Sequence, residues 1–146
     1  MNRERVQEQL AVDEGVVKSV YLDHLGYATF GIGHLILEKD PEYGLAVDTP
    51  ISAKRVTEAF QADLNIAISE CKVRYSMWDT YPEEVQEILV NMLFNLGRPR
   101  LSKFKNFKKA IDANDWKQAG IEGRDSVWYR QVGNRAERLM VRMENV

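Results

Sequence analysis

Two carboxylic acids, Glu14 and Asp23, stand close together in the stretch DEGVVKSVYLDHLGYATFGIGHL, which runs from Asp13 to Leu35. Thr29, His34 and four glycines (Gly15, Gly26, Gly31 and Gly33) crowd the same segment. Two carboxyl groups in different surroundings can share the work of breaking a glycosidic bond. The protonated one donates to the leaving oxygen, and the ionised one serves as base for a water or as nucleophile. The pattern puts Glu14 at the end of a helix, which makes it the candidate acid. Asp23, beside a glycine-rich turn and better solvated, is the candidate ionised partner. Spacing alone is a modest signal, because 22 Asp and Glu among 146 residues give such pairs by chance.

The elements that would carry these residues can be read from apolar spacing. Val6 and Leu10, four apart, predict a short amphipathic helix over 3–12, stopped by Gly15. KSVYLDHLGYATFGIGHL is rich in aromatic and β-branched residues and predicts a β-hairpin or small meander with Gly26 at its turn. EKDPEYGLAVDTP has the composition of a surface loop. Ser52, or Thr49 ahead of Pro50, caps a long helix reaching about Lys72, with Val56, Ala59, Phe60, Leu64, Ala67, Ile68 and Cys71 on its apolar stripe. Pro82 opens the next helix, EEVQEILVNMLFNLG, which is apolar on more than one face and ends at Gly97. Shorter helices follow, the last capped by Asn134, and no strand is expected beyond residue 82. Trp78 and Trp116 read as packing residues, both partly exposed. The fold class is α+β, predominantly helical. It is one domain over 1–146, with a small lobe at about 13–50, a connecting helix at about 52–72, and an all-helical lobe at about 73–146 that includes the N-terminal helix 3–12. A cleft between the lobes would hold the ligand.

Other chemistries find little support. Cys71 is the single cysteine and sits in a helical stripe, so it reads as a core residue rather than a nucleophile. His24 and His34 are the only histidines, and no cluster has metal-ligand spacing; no metal and no cofactor are expected. GIG alone is no dinucleotide fingerprint. No window approaches the ~18 apolar residues of a membrane span. The charged start MNRERVQEQL lacks the apolar core of a signal peptide, so synthesis in the cytoplasm is expected. The net charge of −2 hides an asymmetry. Residues 1–97 carry 8 Lys/Arg against 16 Asp/Glu, whereas residues 98–146 carry 12 against 6. A basic C-terminal third can attract an anionic polymer, or the two regions can simply attract each other.

LAVDEGVVKSVYLDHLGYATFGIGHL closely resembles the phage T4-type lysozymes, whose hallmark is D-E-G, then Y-x-D, then G-Y-x-T-x-G-I-G-H-L. Asp13, Glu14, Gly15, Tyr21, Asp23, Gly26, Tyr27, Thr29, Gly31, Ile32, Gly33, His34 and Leu35 occupy those positions at matching spacing. ISAKRVTEAFQADL is similar to the family's interdomain helix, VNMLFNLG to its buried central helix, and SVWYRQVGNRAER to its C-terminal S-x-W-Y-x-Q-x-x-N-R-A-x-R stretch, so the resemblance spans nearly the whole chain. It implies a lysozyme-like two-lobe fold. It also implies inverting hydrolysis of the β-1,4 link between N-acetylmuramic acid and N-acetylglucosamine in peptidoglycan. Glu14 would be the general acid, with Asp23 and Thr29 handling the attacking water. Leu35 and Phe94 match residues lining the family's saccharide cleft, and Asn95 stands where a glutamine is common. Arg135 matches an arginine that pairs with the catalytic glutamate, His34 and Asp63 match a structural ion pair, and Trp128 matches a tryptophan buried near the cleft.

The chain also departs from the pattern. The loop after His34 is shorter than in the best-known members, and the family's small polar cleft residues of the helical lobe are replaced by Phe107 and Glu122. The leading expectation is a monomeric endolysin made in the host cytoplasm, acting on periplasmic peptidoglycan during host lysis. It would depend on a separate holin-type protein, with no stable membrane association and no nucleic-acid partner. A virion-associated or prophage muramidase, an inactive cell-wall-binding module and a nucleic-acid binder using the basic third are the alternatives.

Overall fold

The computed structural model describes the backbone of residues 1–146 and all side chains except those of Arg98 and Pro99. Helix α1 (Arg3–Glu14) leads into strands β1 (Val17–Leu22), β2 (Ala28–Gly31) and β3 (His34–Leu35). Helices α2 (Ala53–Arg74), α3 (Glu83–Leu101), α4 (Lys105–Asp112), α5 (Trp116–Arg124), α6 (Val127–Val132) and α7 (Asn134–Glu144) follow. The fold is the expected α+β, predominantly helical one. It divides into two compact units, Arg3–Ile66 and Ala67–Val146 with Met1–Asn2, and α2 contributes to both.

In the first unit the strands form an antiparallel sheet in the order β1-β2-β3. Tyr21 pairs with Thr29 across β1 and β2, and Thr29 pairs with Leu35 across β2 and β3. Beyond β1 the chain returns to close the sheet: Asp48 N–H donates to the Val20 carbonyl, Val20 N–H to Thr49 and Ile51 N–H to Lys18. Ser52 caps α2, its hydroxyl accepting from the Arg55 N–H at 3.1 Å. The α2 stripe is buried as expected at Val56, Ala59, Phe60, Leu64, Ala67 and Cys71.

The second unit is helical, with α3 as its core: every residue from Val85 to Leu93 is buried. Gly97, at φ 73° and ψ 161°, breaks α3 where the sequence ends it, although helical bonding resumes as far as Leu101. Helix α5 packs against α4 and α7. Arg124 links α5 to α7, donating to Glu144 (Nε to Oε1, 2.6 Å) and to Glu137, which also accepts from the Tyr129 hydroxyl.

Three local expectations need correction. Trp78 is only 4% exposed, because the 3₁₀ turn Trp78–Thr80 folds its indole inward, edge-on to Tyr81. Asn134 does not cap α7. Gly133 holds that position at φ 70°, and its carbonyl accepts from Glu137 N–H at 3.0 Å, which leaves Asn134 as the first helical residue. Pro82 lies just outside α3, where its carbonyl accepts from Gln86 N–H at 3.1 Å.

Candidate active site

Glu14 is the last residue of α1, and Gly15 (φ 79°) turns the chain out of the helix. Its carboxylate lies against the β2–β3 turn: a Cβ on Gly33 would stand 3.4 Å from Glu14 Oε2. Gly33 has φ 63°, so any side chain here would combine backbone strain with contact on the carboxylate.

Asp23 directly follows β1 and organises the turn to β2. Its Oδ1 accepts from the N–H groups of Leu25 and Tyr27, both at 2.9 Å, and its own N–H donates to the Tyr27 carbonyl. Gly26, at φ 86°, completes the turn. This is an Asx-type arrangement in which a short side chain closes its own loop. Both amide bonds fall on Oδ1, so Oδ2 lies outside them. Thr29 is 4% exposed and donates its hydroxyl hydrogen to the Tyr27 carbonyl at 2.9 Å. With that hydrogen committed, its lone pairs remain to accept from a water.

Cross-strand partners share a face of a sheet, so Tyr21, Thr29 and Leu35 form one row. Leu35 is 45% exposed at the end of this row. The Tyr21 phenol is pushed above its usual value by partial burial, then by the charges of Glu14 and Asp23. Glu14, Tyr21, Asp23, Thr29 and Leu35 thus converge on one region of the first unit.

Behind it, His34 bridges two carboxylates: Nδ1 lies 2.7 Å from Asp63 Oδ2, and Nε2 lies 3.0 Å from Asp40 Oδ2. Burial alone would lower its pKa, but Asp63 and Asp40 outweigh burial and hold it above the usual histidine value. Asp40 also accepts from Leu37 N–H at 2.8 Å. Arg55 lies 3.6 Å from Asp40, forms a bidentate pair with Glu42 (2.8 and 2.9 Å), and stacks over the Phe30 ring. Sequence reasoning named His34 and Asp63 but missed Asp40, Glu42 and Arg55. A signal existed for Asp40, whose D-P context is a turn former; none existed for the Glu42–Arg55 pair.

In the second unit, Trp128 is 2% exposed and its indole N–H donates to Asn95 Oδ1 at 2.6 Å, occupying part of a carboxamide expected to meet substrate. Phe94 is half-buried on α3. The Arg135 guanidinium donates from Nε to Asn91 Oδ1 at 2.9 Å. Phe107 and Glu122 both line an open pocket of about 420 Å³, together with Phe104, Ser126 and Trp128. Phe107 is otherwise buried, so it is a floor residue rather than a polar contact. Among the described residues, no group of three or more His, Cys, Asp or Glu side chains is arranged to hold a metal, and no helix is long and apolar enough to cross a membrane.

Comparison with known proteins gives a consistent result. Residues 11–145 match the family described as phage lysozyme. The chain is 34% identical to the pre-baseplate central spike protein Gp5 of Enterobacteria phage T4, over 90% of its own length but only 26% of that protein. It is 27% and 29% identical to two Dictyostelium discoideum proteins described as probable T4-type lysozymes, over 92% of its own length and 91% of theirs. With its helical fold, its small antiparallel sheet and a match over nearly its whole length, the chain belongs to the phage lysozyme family and is a glycoside hydrolase.

Proposed function

We propose that this chain hydrolyses the β-1,4 bond between N-acetylmuramic acid and N-acetylglucosamine in bacterial peptidoglycan, with inversion, and that it serves host lysis as an endolysin. The observation that supports this reading is that Glu14, at a helix end, lies against the β2–β3 turn of the same small sheet whose β1–β2 hairpin carries Asp23 and Thr29. Glu14 gives its proton to the leaving oxygen. Asp23 Oδ2 takes a proton from the attacking water, which is held by donating its second hydrogen to Thr29 Oγ1. Leu35, Phe94 and Asn95 contact the saccharide. The His34–Asp63 pair, Trp128 and Arg135 support the site. The protein acts as a monomer on the periplasmic wall and reaches it with the help of a holin-type protein.

The test is clearing of outer-membrane-permeabilised Gram-negative cells by wild type and Glu14→Gln. Loss of about 10²–10⁴-fold in the variant is expected for a general acid. Equal clearing by both would remove Glu14 from the mechanism. Anomer analysis by NMR should show the α product first, and a β product formed first would contradict inversion.

A second reading keeps the reaction and changes its setting: a virion-associated muramidase used at infection. It is favoured by the 34% identity to part of a spike protein. Mass spectrometry of purified virions separates the two, since an endolysin should be absent from the particle.

A further inference from the structure

The residue that ties the two water-handling groups together is Tyr27, and it does so through its main chain. Its carbonyl accepts from the Asp23 N–H and from the Thr29 hydroxyl, both at 2.9 Å, and its own N–H donates to Asp23 Oδ1 at 2.9 Å. Where these main-chain groups sit depends on the residue before them. Tyr21 pairs with Thr29 and Leu22 with Ala28, and the bond from Asp23 N–H to the Tyr27 carbonyl carries the ladder one step further. Gly26 is therefore an extra residue in the returning arm, so that Gly26 and Tyr27 together face Asp23. The Gly26 N–H donates back to the Asp23 carbonyl at 2.9 Å, and its φ is 86°. A tight turn followed by a left-handed glycine is a three-residue hairpin loop with a bulge, and a bulge re-aims the side chains beside it.

We propose that Gly26 is a positioning residue for hydrolysis: its left-handed backbone places the Tyr27 carbonyl so that the Thr29 hydroxyl can only accept from the attacking water. The direction of that hydroxyl matters to the chemistry. In the proposed reaction the water gives one hydrogen to Asp23 and the other to Thr29, which leaves a lone pair for the anomeric carbon. A threonine free to rotate could donate instead, and its hydrogen would occupy the lone pair that must attack. The Tyr27 carbonyl removes that alternative by taking the hydrogen. The bulge that holds the carbonyl there needs a residue at ease with positive φ, and without it the pairing slips by one residue and turns side chains to the other face. A Cβ at Gly26 would meet nothing within 4 Å, so the position is open in space and restricted in conformation alone.

This inference rests on the assignment of Thr29 and Asp23 to the attacking water, and the test keeps the two claims apart. Gly26→Ala adds a methyl group without a clash and disfavours positive φ. On a soluble peptidoglycan fragment, kcat should fall about tenfold or more, as small misplacements in a site do, with KM changed by less than about twofold. Gly26→Asn, whose side chain tolerates the left-handed region, should stay within about threefold of wild-type kcat. A further pair of proteins carries Thr29→Val with and without Gly26→Ala. There the loss due to alanine should be at least about threefold smaller, because the group it orients is gone. Wild-type kcat in Gly26→Ala would overturn the proposal, as would a raised KM with unchanged kcat. A loss of equal size in both backgrounds would also overturn it, since a glycine needed only for folding acts independently of Thr29. Should Gly26→Ala fail to fold, Gly26→Asn decides: retained kcat supports the proposal, and a loss as large as that expected of alanine in a folded protein refutes it. Wild-type kcat in Thr29→Val alone would defeat the assignment of Thr29 itself, and this inference with it.

Discussion

Asp40 is the junction of the buried charge network, and Asp40→Asn is the substitution whose effect can be worked out most fully. Its Oδ2 meets His34 Nε2 at 3.0 Å and Leu37 N–H at 2.8 Å, while Oδ1 lies 3.6 Å from Arg55. Asparagine can keep the geometry but not the charge. A hydrogen bond to a charged group contributes about 1.5–3 kcal/mol, against about 1 kcal/mol for a neutral one. The His34 and Leu37 contacts each therefore lose roughly 1 kcal/mol. Arg55 loses less, because Glu42 still holds it in a bidentate pair. The expected loss near pH 6 is about 2–3 kcal/mol, or roughly 5–10 °C in Tm for a chain of this size. The loss should itself depend on pH. The folded-state pKa of His34 is raised, so the stability from its charged pairing is complete below the ordinary value of 6.5 and fades as pH climbs through the folded value. The Asp40 pKa is lowered, chiefly by Leu37 N–H and His34 acting against burial, so its own contribution is lost only in acid below the usual carboxylate range. Urea denaturation of wild type and Asp40→Asn from pH 5 to pH 10 should give curves well apart at pH 6 that converge toward alkaline pH. Curves that stay parallel, or that coincide at pH 6, would refute the reasoning that a protonated His34 is what Asp40 holds.

Trp128→Phe removes the indole donor from Asn95 and should cost about 1–2 kcal/mol in thermal unfolding; an unchanged Tm would mean that the 2.6 Å bond contributes nothing net. Gly123→Ala would drive a methyl group into the buried Met140 thioether, and calorimetry should register a loss of about 1–3 kcal/mol. The Cys71 thiol, fully buried and pushed up to about 12, should resist a thiol reagent at pH 8 in the folded protein and react at once in denaturant. Rapid labelling of the native state would show an opening of α2 that its packing does not suggest.

Much of this molecule could be read from the letters, because the signals involved are local. The α2 stripe repeats at helical spacing, Ser52 stands just ahead of it, and the hairpin is announced by β-branched and aromatic residues around Gly26. Asp23 and Thr29 belong to one hairpin, and each bonds to Tyr27 within a few residues of chain. What escaped notice depends on distant partners. Asp40, Glu42 and Arg55 read as a solvated loop and an exposed helix start, and only the folded chain brings them to His34 and Phe30. Capping preferences favour Asn134 over Gly133, but they say nothing about a chain reversal at positive φ, which glycine makes without strain. Trp78 reads as a packing residue, and its full burial depends on a 3₁₀ turn that the sequence MWDTYP does not announce.

The segment that returns along β1 has one further consequence. By accepting from Val20 through the Thr49 carbonyl and donating through Asp48 and Ile51, it occupies main-chain groups that would otherwise be offered to another molecule. A three-stranded ribbon left bare on that flank would be a template for recruiting further copies into fibrils. Any graft or protease nick between Asp48 and Ile51 should therefore show itself first as self-association in concentrated solution, before catalysis is affected.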